Sequence, residues 1–184
     1  MCDIVALTNL DKCDGNNNTG AMHRTFYVVL ASEVLTSPTL EDPIVTEEDR
    51  VTAITAFILK TGKKFVTVTT EMERVKFTDK QVGNRGSRGY EQSLEAFAPG
   101  ITSRTVGFGN NLKNADVICV VQDPDNAMMG HVIGSVERPA ELMVDYEAGG
   151  KIGDDKGATI KINAKSNSPA MLYPLALGFD VTGA

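Results

Sequence analysis

Tryptophan is absent from this chain of 184 residues, and aromatic residues make up only 6% of it. That scarcity disfavours a platform for stacking sugars or single-stranded nucleic acid. Three cysteines are too few for a disulfide scaffold and fit a reducing compartment. The N-terminus has no basic start followed by an apolar run, so we expect no signal peptide. No apolar stretch approaches the roughly 20 residues that a membrane-spanning helix needs.

The remaining composition is that of an ordinary globular protein, with 42% hydrophobic and 23% charged residues. The length predicts one domain over residues 1–184. A net charge of -6 argues against a basic face that coats nucleic acid. The charge is uneven, because residues 1–50 carry nine acidic and three basic side chains whereas 51–100 carry five and eight. Such oppositely charged zones suit head-to-tail self-association.

Alternation of apolar and polar residues predicts most of the fold as half-solvated strands. The clearest pair is 140–147 with 158–165, and the almost wholly apolar segment 115–122 predicts a strand buried on both faces. Segment 130–135 is expected to pair back onto that strand. The segments 51–59 and 64–72 flank a Gly-containing turn and predict a β-hairpin. Further strands are predicted at 25–35, at 75–77, at 90–97 and in the apolar tail from 171 to 181.

One amphipathic helix is predicted over 102–113, with Thr102 or Ser103 as its N-cap and Asn114 at its end. The residues that recur at helical spacing are Ile101, Thr105, Phe108 and Leu112. A single helix cannot supply the crossovers of a parallel sheet. The sequence therefore predicts a mainly β fold, an antiparallel β-sandwich or partly open barrel with one short α-helix packed on its side.

Two segments are predicted to lie outside this body, an N-terminal arm over about 1–24 and a mobile, Gly-rich basic loop over about 79–89. In the loop, Lys80, Arg85 and Arg88 are predicted to reach a neighbouring subunit and meet acidic partners. The acidic first fifty residues are the natural opposite surface.

The sequence predicts no catalytic, metal or cofactor site. The stretch GNRGSRG matches no phosphate-binding loop and precedes a strand. The spacings of Cys2, Cys13 and His23 match no zinc module, and the turn 14–18 lacks the closing Glu of a calcium loop. We therefore expect an Asn-rich turn at 14–18.

Candidate nucleophiles and bases also have simpler interpretations. His131 lies within a predicted strand, and Cys119 lies within an apolar run where a thiol is usually inert. The carboxylate pairs Asp123/Asp125 and Asp154/Asp155 occupy turns, where aspartates usually bind their own backbone. We expect the protein not to be an enzyme.

The order of weaker signals along the chain is more informative than any one of them. In chain order they are Cys13 to Tyr27 with Gly20, the strand start Lys64-Phe65, the strand Tyr90 to Leu94, the helix end and apolar strand Asn111 to Val121, the strand His131 to Gly134, and the tip Gly153 to Gly157 followed by a proline near the end. This order resembles the small tail tube proteins of phages and prophages of Bacteroidetes hosts, over about residues 13–180. Gly20-Ala21 departs from the Gly-Gly pair that is frequent in that group.

The resemblance implies a structural virion protein without cofactors. Such subunits form β-sandwich rings, expected here to be hexamers, that stack into a tail tube in the cytoplasm of the bacterial host. Implied partners are other copies of the chain, tape measure and terminator proteins, and double-stranded DNA that passes without specific binding. An acidic channel would repel DNA phosphates, and Glu71, Glu73, Glu91 and Glu95 are the predicted lumen-facing residues.

Two alternatives remain open at this stage. One is a monomeric carbohydrate- or ligand-binding sandwich, and the other is a different neck or head–tail protein of the same fold. Assembly without any ligand distinguishes a tube subunit from a monomeric binding module.

Overall fold

The strands and the helix are assigned in a computed structural model, which describes residues 22–126, 128–151 and 153–181. Those residues form eleven strands and one α-helix. In chain order they are β1 (Thr25–Leu30), β2 (Val34–Thr36), β3 (Ile58–Leu59), β4 (Val66–Thr69), β5 (Val75–Val82), β6 (Gly89–Pro99), α1 (Ser103–Leu112), β7 (Asp116–Gln122), β8 (Met129–Ile133), β9 (Ala140–Glu147), β10 (Gly157–Ser166) and β11 (Met171–Pro174).

Nine of the strands form two antiparallel layers that are joined through β7, and β2 and β3 form a separate two-stranded sheet. The first layer has the order β4–β1–β7–β8–β11, and the second has the order β9–β10–β6–β5. Only Asp116 and Val117 of β7 pair with β9, and there the chain of hydrogen-bonded strands passes from one layer to the other. The predicted fold class is confirmed: the fold is a mainly β antiparallel sandwich with one helix.

The main core lies between the two layers. Phe26 of β1 and Val121 of β7 come from the first layer, and Leu94 of β6 and Ile162 of β10 come from the second, each fully buried. Along β10 and in β9 as far as Val144 the predicted alternation is confirmed, since the apolar residues at every second position face this core, whereas Tyr146 at the end of β9 is exposed. Period-two patterning thus decides which side of the second layer meets solvent.

A second apolar cluster covers the other side of the first layer, which is why β7 is buried on both faces as predicted. Phe57 and Phe65 pack in this cluster with Tyr173 of β11. The predicted hairpin of 51–59 with 64–72 is wrong, because β3 pairs with β2 and β4 pairs with β1. Ala53, Phe57 and Phe65 of these segments cover the first layer, although the two segments do not pair as strands.

Helix α1 begins and ends as predicted. The Thr102 hydroxyl accepts a hydrogen bond from the Thr105 N–H at 3.2 Å, and Asn114 takes a left-handed φ of 60° just beyond the helix. Phe108 and Leu112 pack on the main core but stay half-buried. No helix among the described residues has the length and apolarity to cross a membrane.

Strand boundaries differ from prediction at three further places. The strand predicted in the tail from 171 to 181 is shorter, because β11 ends at Pro174 and a 3-10 turn, Leu175–Leu177, follows. The predicted strand 25–35 divides into β1 and β2 at a short 3-10 turn, Ala31–Glu33. The predicted loop 79–89 is shorter, because Asp79–Val82 continue β5 and only 83–88 connect it to β6. Two glycines in that connection, Gly83 and Gly86, have positive φ values of 102° and 95°.

Candidate functional site

The solvent-facing side of the second layer is the most distinctive surface of the described chain. We call it the outward face. Its members are Lys76, Thr78 and Lys80 of β5, Glu91, Ser93 and Glu95 of β6, Lys161, Asn163 and Lys165 of β10, and Glu141, Met143 and Asp145 of β9. Every one of these except Met143 is polar or charged, and the strand register puts Phe97, Thr159 and Glu147 on the same side at one end of the sheet. The opposite side of the same strands forms the core.

The charge on the outward face changes sign from strand to strand. Strands β5 and β10 carry lysines, and strands β6 and β9 carry carboxylates, each pair spaced by four residues. The strand register places Glu95 between Lys76 and Lys161, and Glu91 between Lys80 and Lys165. Opposite charges directly across a strand pair are favourable, whereas like charges there are destabilising.

The inner lysines of this face contact carboxylates. Lys161 Nζ lies 2.9 Å from Asp145 Oδ2, and this hydrogen bond raises the pKa of Lys161. Lys165 Nζ lies 3.7 Å from Glu91 Oε1. Lys76 and Lys80 stand on the edge strand β5, and neither makes an ion pair with any residue that the structure describes. The edge strand therefore carries two lysines that lie across from Glu95 and Glu91 without an ion pair among the described residues.

The structure divides the four glutamates that were predicted to share a channel. Glu91 and Glu95 lie on the outward face, but Glu71 and Glu73 follow the end of β4 and belong to no strand, so the predicted strand 64–72 is wrong beyond Thr69. Glu73 takes a left-handed φ of 65°. Glu71 and Glu73 therefore lie outside the strands that form the outward face, whereas Glu91 and Glu95 lie within it.

Arg74 anchors the end of the sheet at which Glu71 lies. Its guanidinium contacts Asp155 Oδ2 at 2.6 Å and Glu71 Oε2 at 3.3 Å. The same group stacks 3.8 Å from the centroid of the Phe97 ring. The charge of Glu71 is thus partly compensated within the subunit.

The three basic residues predicted to contact a neighbouring subunit are also divided. Lys80 lies within β5 opposite Glu91, whereas Arg85 and Arg88 lie in the exposed 83–88 connection. No ion pair joins either arginine to another residue in the described ranges. Both side chains are exposed in the part of the chain that the structure describes.

Sequence reasoning missed the open edges of the second layer. In the described part of the chain β5 pairs only with β6, and β9 beyond Glu141 pairs only with β10. A groove of about 460 Å³ follows the β9 edge against α1, where Val106, Met143 and Tyr146 are 42%, 47% and 41% exposed. The available signal in the sequence was the apolar Met143, which stands between the acidic Glu141 and Asp145 on the solvent-facing side of the predicted strand.

Other reactive groups are held in structural contacts. His131 Nε2 lies 3.6 Å from Asp123 Oδ2, and its ring packs 5.0 Å from that of Phe77. Burial raises the pKa of the Cys119 thiol. The described residues contain no cluster of three or more His, Cys, Asp or Glu that could hold a metal ion. Cys2, Cys13 and the turn 14–18 lie outside the described residues.

Comparisons with family models, with curated proteins and with solved structures give no match to this chain. The features of this chain that bear on function are the outward face, the open edges of β5 and β9, and the order of strands and turns along the sequence.

Proposed function

We propose that this chain is the subunit of a phage tail tube, a virion protein that assembles into rings around a channel. Stacked rings would conduct the genome, and the partners would be further copies of the chain, tape measure and terminator proteins. The observation that carries the proposal is the outward face. It is a broad antiparallel sheet, polar on one side and packed into the core on the other.

The outward face suits a water-filled channel that DNA crosses without sticking. Phosphate binding depends on cations that can replace counterions along the DNA. Lys161 and Lys165 are already occupied by Asp145 and Glu91. The proposed lining is therefore charge-balanced rather than acidic, with Glu91 and Glu95 within it.

Closure into a ring would also give the open edges of β5 and β9 strand partners. An unpaired edge strand is a template for uncontrolled association, and natural proteins cover, charge or close such edges. A ring of subunits pairs the edges between copies and leaves none open around the channel. Such rings would assemble in the cytoplasm of the bacterial host and end in the tail of the virion.

Chemical labelling in assembled and dissociated protein tests the proposal. In a chain with Cys2 and Cys13 replaced by serine, Ser93→Cys places a thiol on the outward face, and Thr61→Cys places one on an exposed turn elsewhere. A bulky maleimide should react slowly with Ser93→Cys in assemblies and rapidly in monomers. Thr61→Cys should react at similar rates in both states. Equal rates for Ser93→Cys in the two states would contradict the channel assignment.

One observation favours a second candidate, a monomeric ligand-binding module. A groove of about 800 Å³ on the outward face is lined by Ser93, Arg138, Glu141 and Asn163 among others. A binding module would stay monomeric when concentrated, and added sugars would protect this groove from labelling. Assembly without ligand favours the tube over the module.

A further inference from the structure

We infer that strand β5 of one copy adds to the open edge of β9 in a second copy, so that the outward faces of neighbouring subunits become one sheet. This inference rests on the proposed function and specifies its ring contact. We call the contact the β5–β9 seam. Its occupant is a second copy of this chain, placed head to tail.

Strand direction permits the seam. The second layer has four antiparallel strands, so its two outer strands, β5 and β9, run in opposite directions. A copy rotated about an axis along the strands keeps all strand directions. Its β5 therefore meets the β9 of its neighbour as an antiparallel pair, which continues the pattern of the whole layer.

Charge selects a head-to-tail contact over a symmetric one. The outward residues of β5 are basic and those of β9 are acidic, so the seam continues the alternation seen within one subunit. A symmetric pairing of β5 with β5 would place lysines opposite lysines, and β9 with β9 would place carboxylates opposite carboxylates. Like charges in directly opposed positions are destabilising. Head-to-tail contacts generate rings when the rotation closes.

The spacing of the charges also selects one register. Lys76 and Lys80 are separated by four residues, as are Glu141 and Asp145. An antiparallel pairing of Lys76 with Asp145 therefore also pairs Lys80 with Glu141. A shift by two residues in either direction leaves Lys76 or Lys80 opposite an uncharged residue.

The same register matches the uncharged positions. Thr78 falls opposite Met143 on the outward face, and Phe77 falls opposite Val144 on the inner side. Met143 and Tyr146, which are 47% and 41% exposed in the single subunit, would be covered by the added strand. The seam thus gives partners to the unpaired lysines and covers the exposed apolar groups of the β9 edge.

Cross-linking tests the seam without altering any charge. In the chain with Cys2 and Cys13 replaced by serine, Thr78→Cys with Met143→Cys places one thiol on each edge. A short bismaleimide should link assembled subunits into a ladder that ends at the ring size. Asn163→Cys with Met143→Cys is the matched control on the same face, and it should give no ladder, because β10 lies two strands further from the seam than β5 and any link between these two thiols forms within one subunit.

Charge reversal tests the selection of partners. Lys76→Glu with Lys80→Glu, and separately Glu141→Lys with Asp145→Lys, should each lose assembly at concentrations where the wild type assembles. An equimolar mixture of the two variants should regain it, because each reversed edge then meets a reversed partner. Circular dichroism of each variant monitors its fold, and the uncharged cysteine pair keeps the test decisive if a variant fails to fold.

The results of these experiments distinguish failure of the β5–β9 seam from failure of the tail tube proposal. Rings that form without a Thr78–Met143 link, or that survive both charge reversals, overturn the seam and leave the tube proposal standing. A wild-type chain that stays monomeric at every concentration overturns both.

Discussion

Gly109 of α1 stands directly beneath the Tyr146 hydroxyl of β9. A Cβ at position 109 would collide with that hydroxyl and lie 3.1 Å from the Cβ of Val144. The hydroxyl in turn donates a hydrogen bond to the Thr105 carbonyl at 3.2 Å. The helix is therefore held against the inward-facing side chains of β9, at a position that has room only for glycine.

This contact predicts opposite effects for the two glycines of α1. Gly109→Ala should destabilise the fold by about 1–3 kcal/mol, because the added methyl group forces Tyr146 or Val144 to move. Gly107→Ala should stabilise it by about 0.5–1 kcal/mol, since a Cβ there meets nothing within 4 Å and alanine is the better helix former. Urea unfolding of both variants measures the difference. Equal stabilities would mean that α1 does not pack on β9 in this way.

Phe108→Ala should cost about 2 kcal/mol. The Phe108 ring packs on the main core but remains half-buried, so less apolar area is lost than for a fully buried phenylalanine. Phe26→Ala is the matched control, because Phe26 is fully buried and its truncation should cost about 3–5 kcal/mol. A loss below about 0.5 kcal/mol for Phe108→Ala would be that of a surface site and would place the ring in solvent.

Much of the second layer can be predicted from alternation alone. Ile160 and Ile162 face the core while Lys161 faces solvent, because a strand presents every second side chain to one side. The 51–72 region could not be predicted in this way. Phe57 and Phe65 pack on a layer built from strands distant in sequence, and a local pattern cannot identify that partner.

The candidate surface was only partly predictable for a related reason. The four-residue spacings of Lys76 with Lys80 and of Glu91 with Glu95 are visible in the sequence. Their alternation in space depends on β10 lying between β6 and β9, a non-sequential pairing. The predicted strand did not reach Glu71 because β4 ends at Thr69.

Arg85→Glu with Arg88→Glu should abolish assembly and leave the subunit intact. Neither side chain has an ion-pair partner within the described part of the chain, so subunit stability should change by less than about 0.5 kcal/mol. Wild-type assembly should weaken with added salt if exposed charge pairs contribute. Light scattering measures both effects. Lys60→Glu with Lys64→Glu makes the same charge change at exposed sites elsewhere and should assemble normally; a double arginine variant that assembles equally well would exclude the loop as a contact.

Glu91→Gln with Glu95→Gln should create affinity for double-stranded DNA. The change leaves the lysines of β5 and β10 without the carboxylates between them. Lys161 keeps its partner Asp145, so three phosphate contacts, from Lys76, Lys80 and Lys165, would give binding that falls roughly fortyfold between about 50 and 200 mM salt. Fluorescence anisotropy with a short duplex measures it.

The control for this prediction is Glu41→Gln with Glu48→Gln, which removes the same charge from exposed sites outside the outward face. The control and the wild type should not bind the duplex. Equal binding by all three proteins would show that the carboxylates of β6 do not shield the lysines.

Electron microscopy of the concentrated, tag-free protein in negative stain tests the central claim most directly. A tail tube subunit should form closed rings with an open centre, and stacks of these rings, with no ligand added. Sedimentation of the same sample should show large species whose proportion rises with protein concentration. Single particles of about 20 kDa at every concentration, in agreement with the 19.7 kDa chain, would contradict the account.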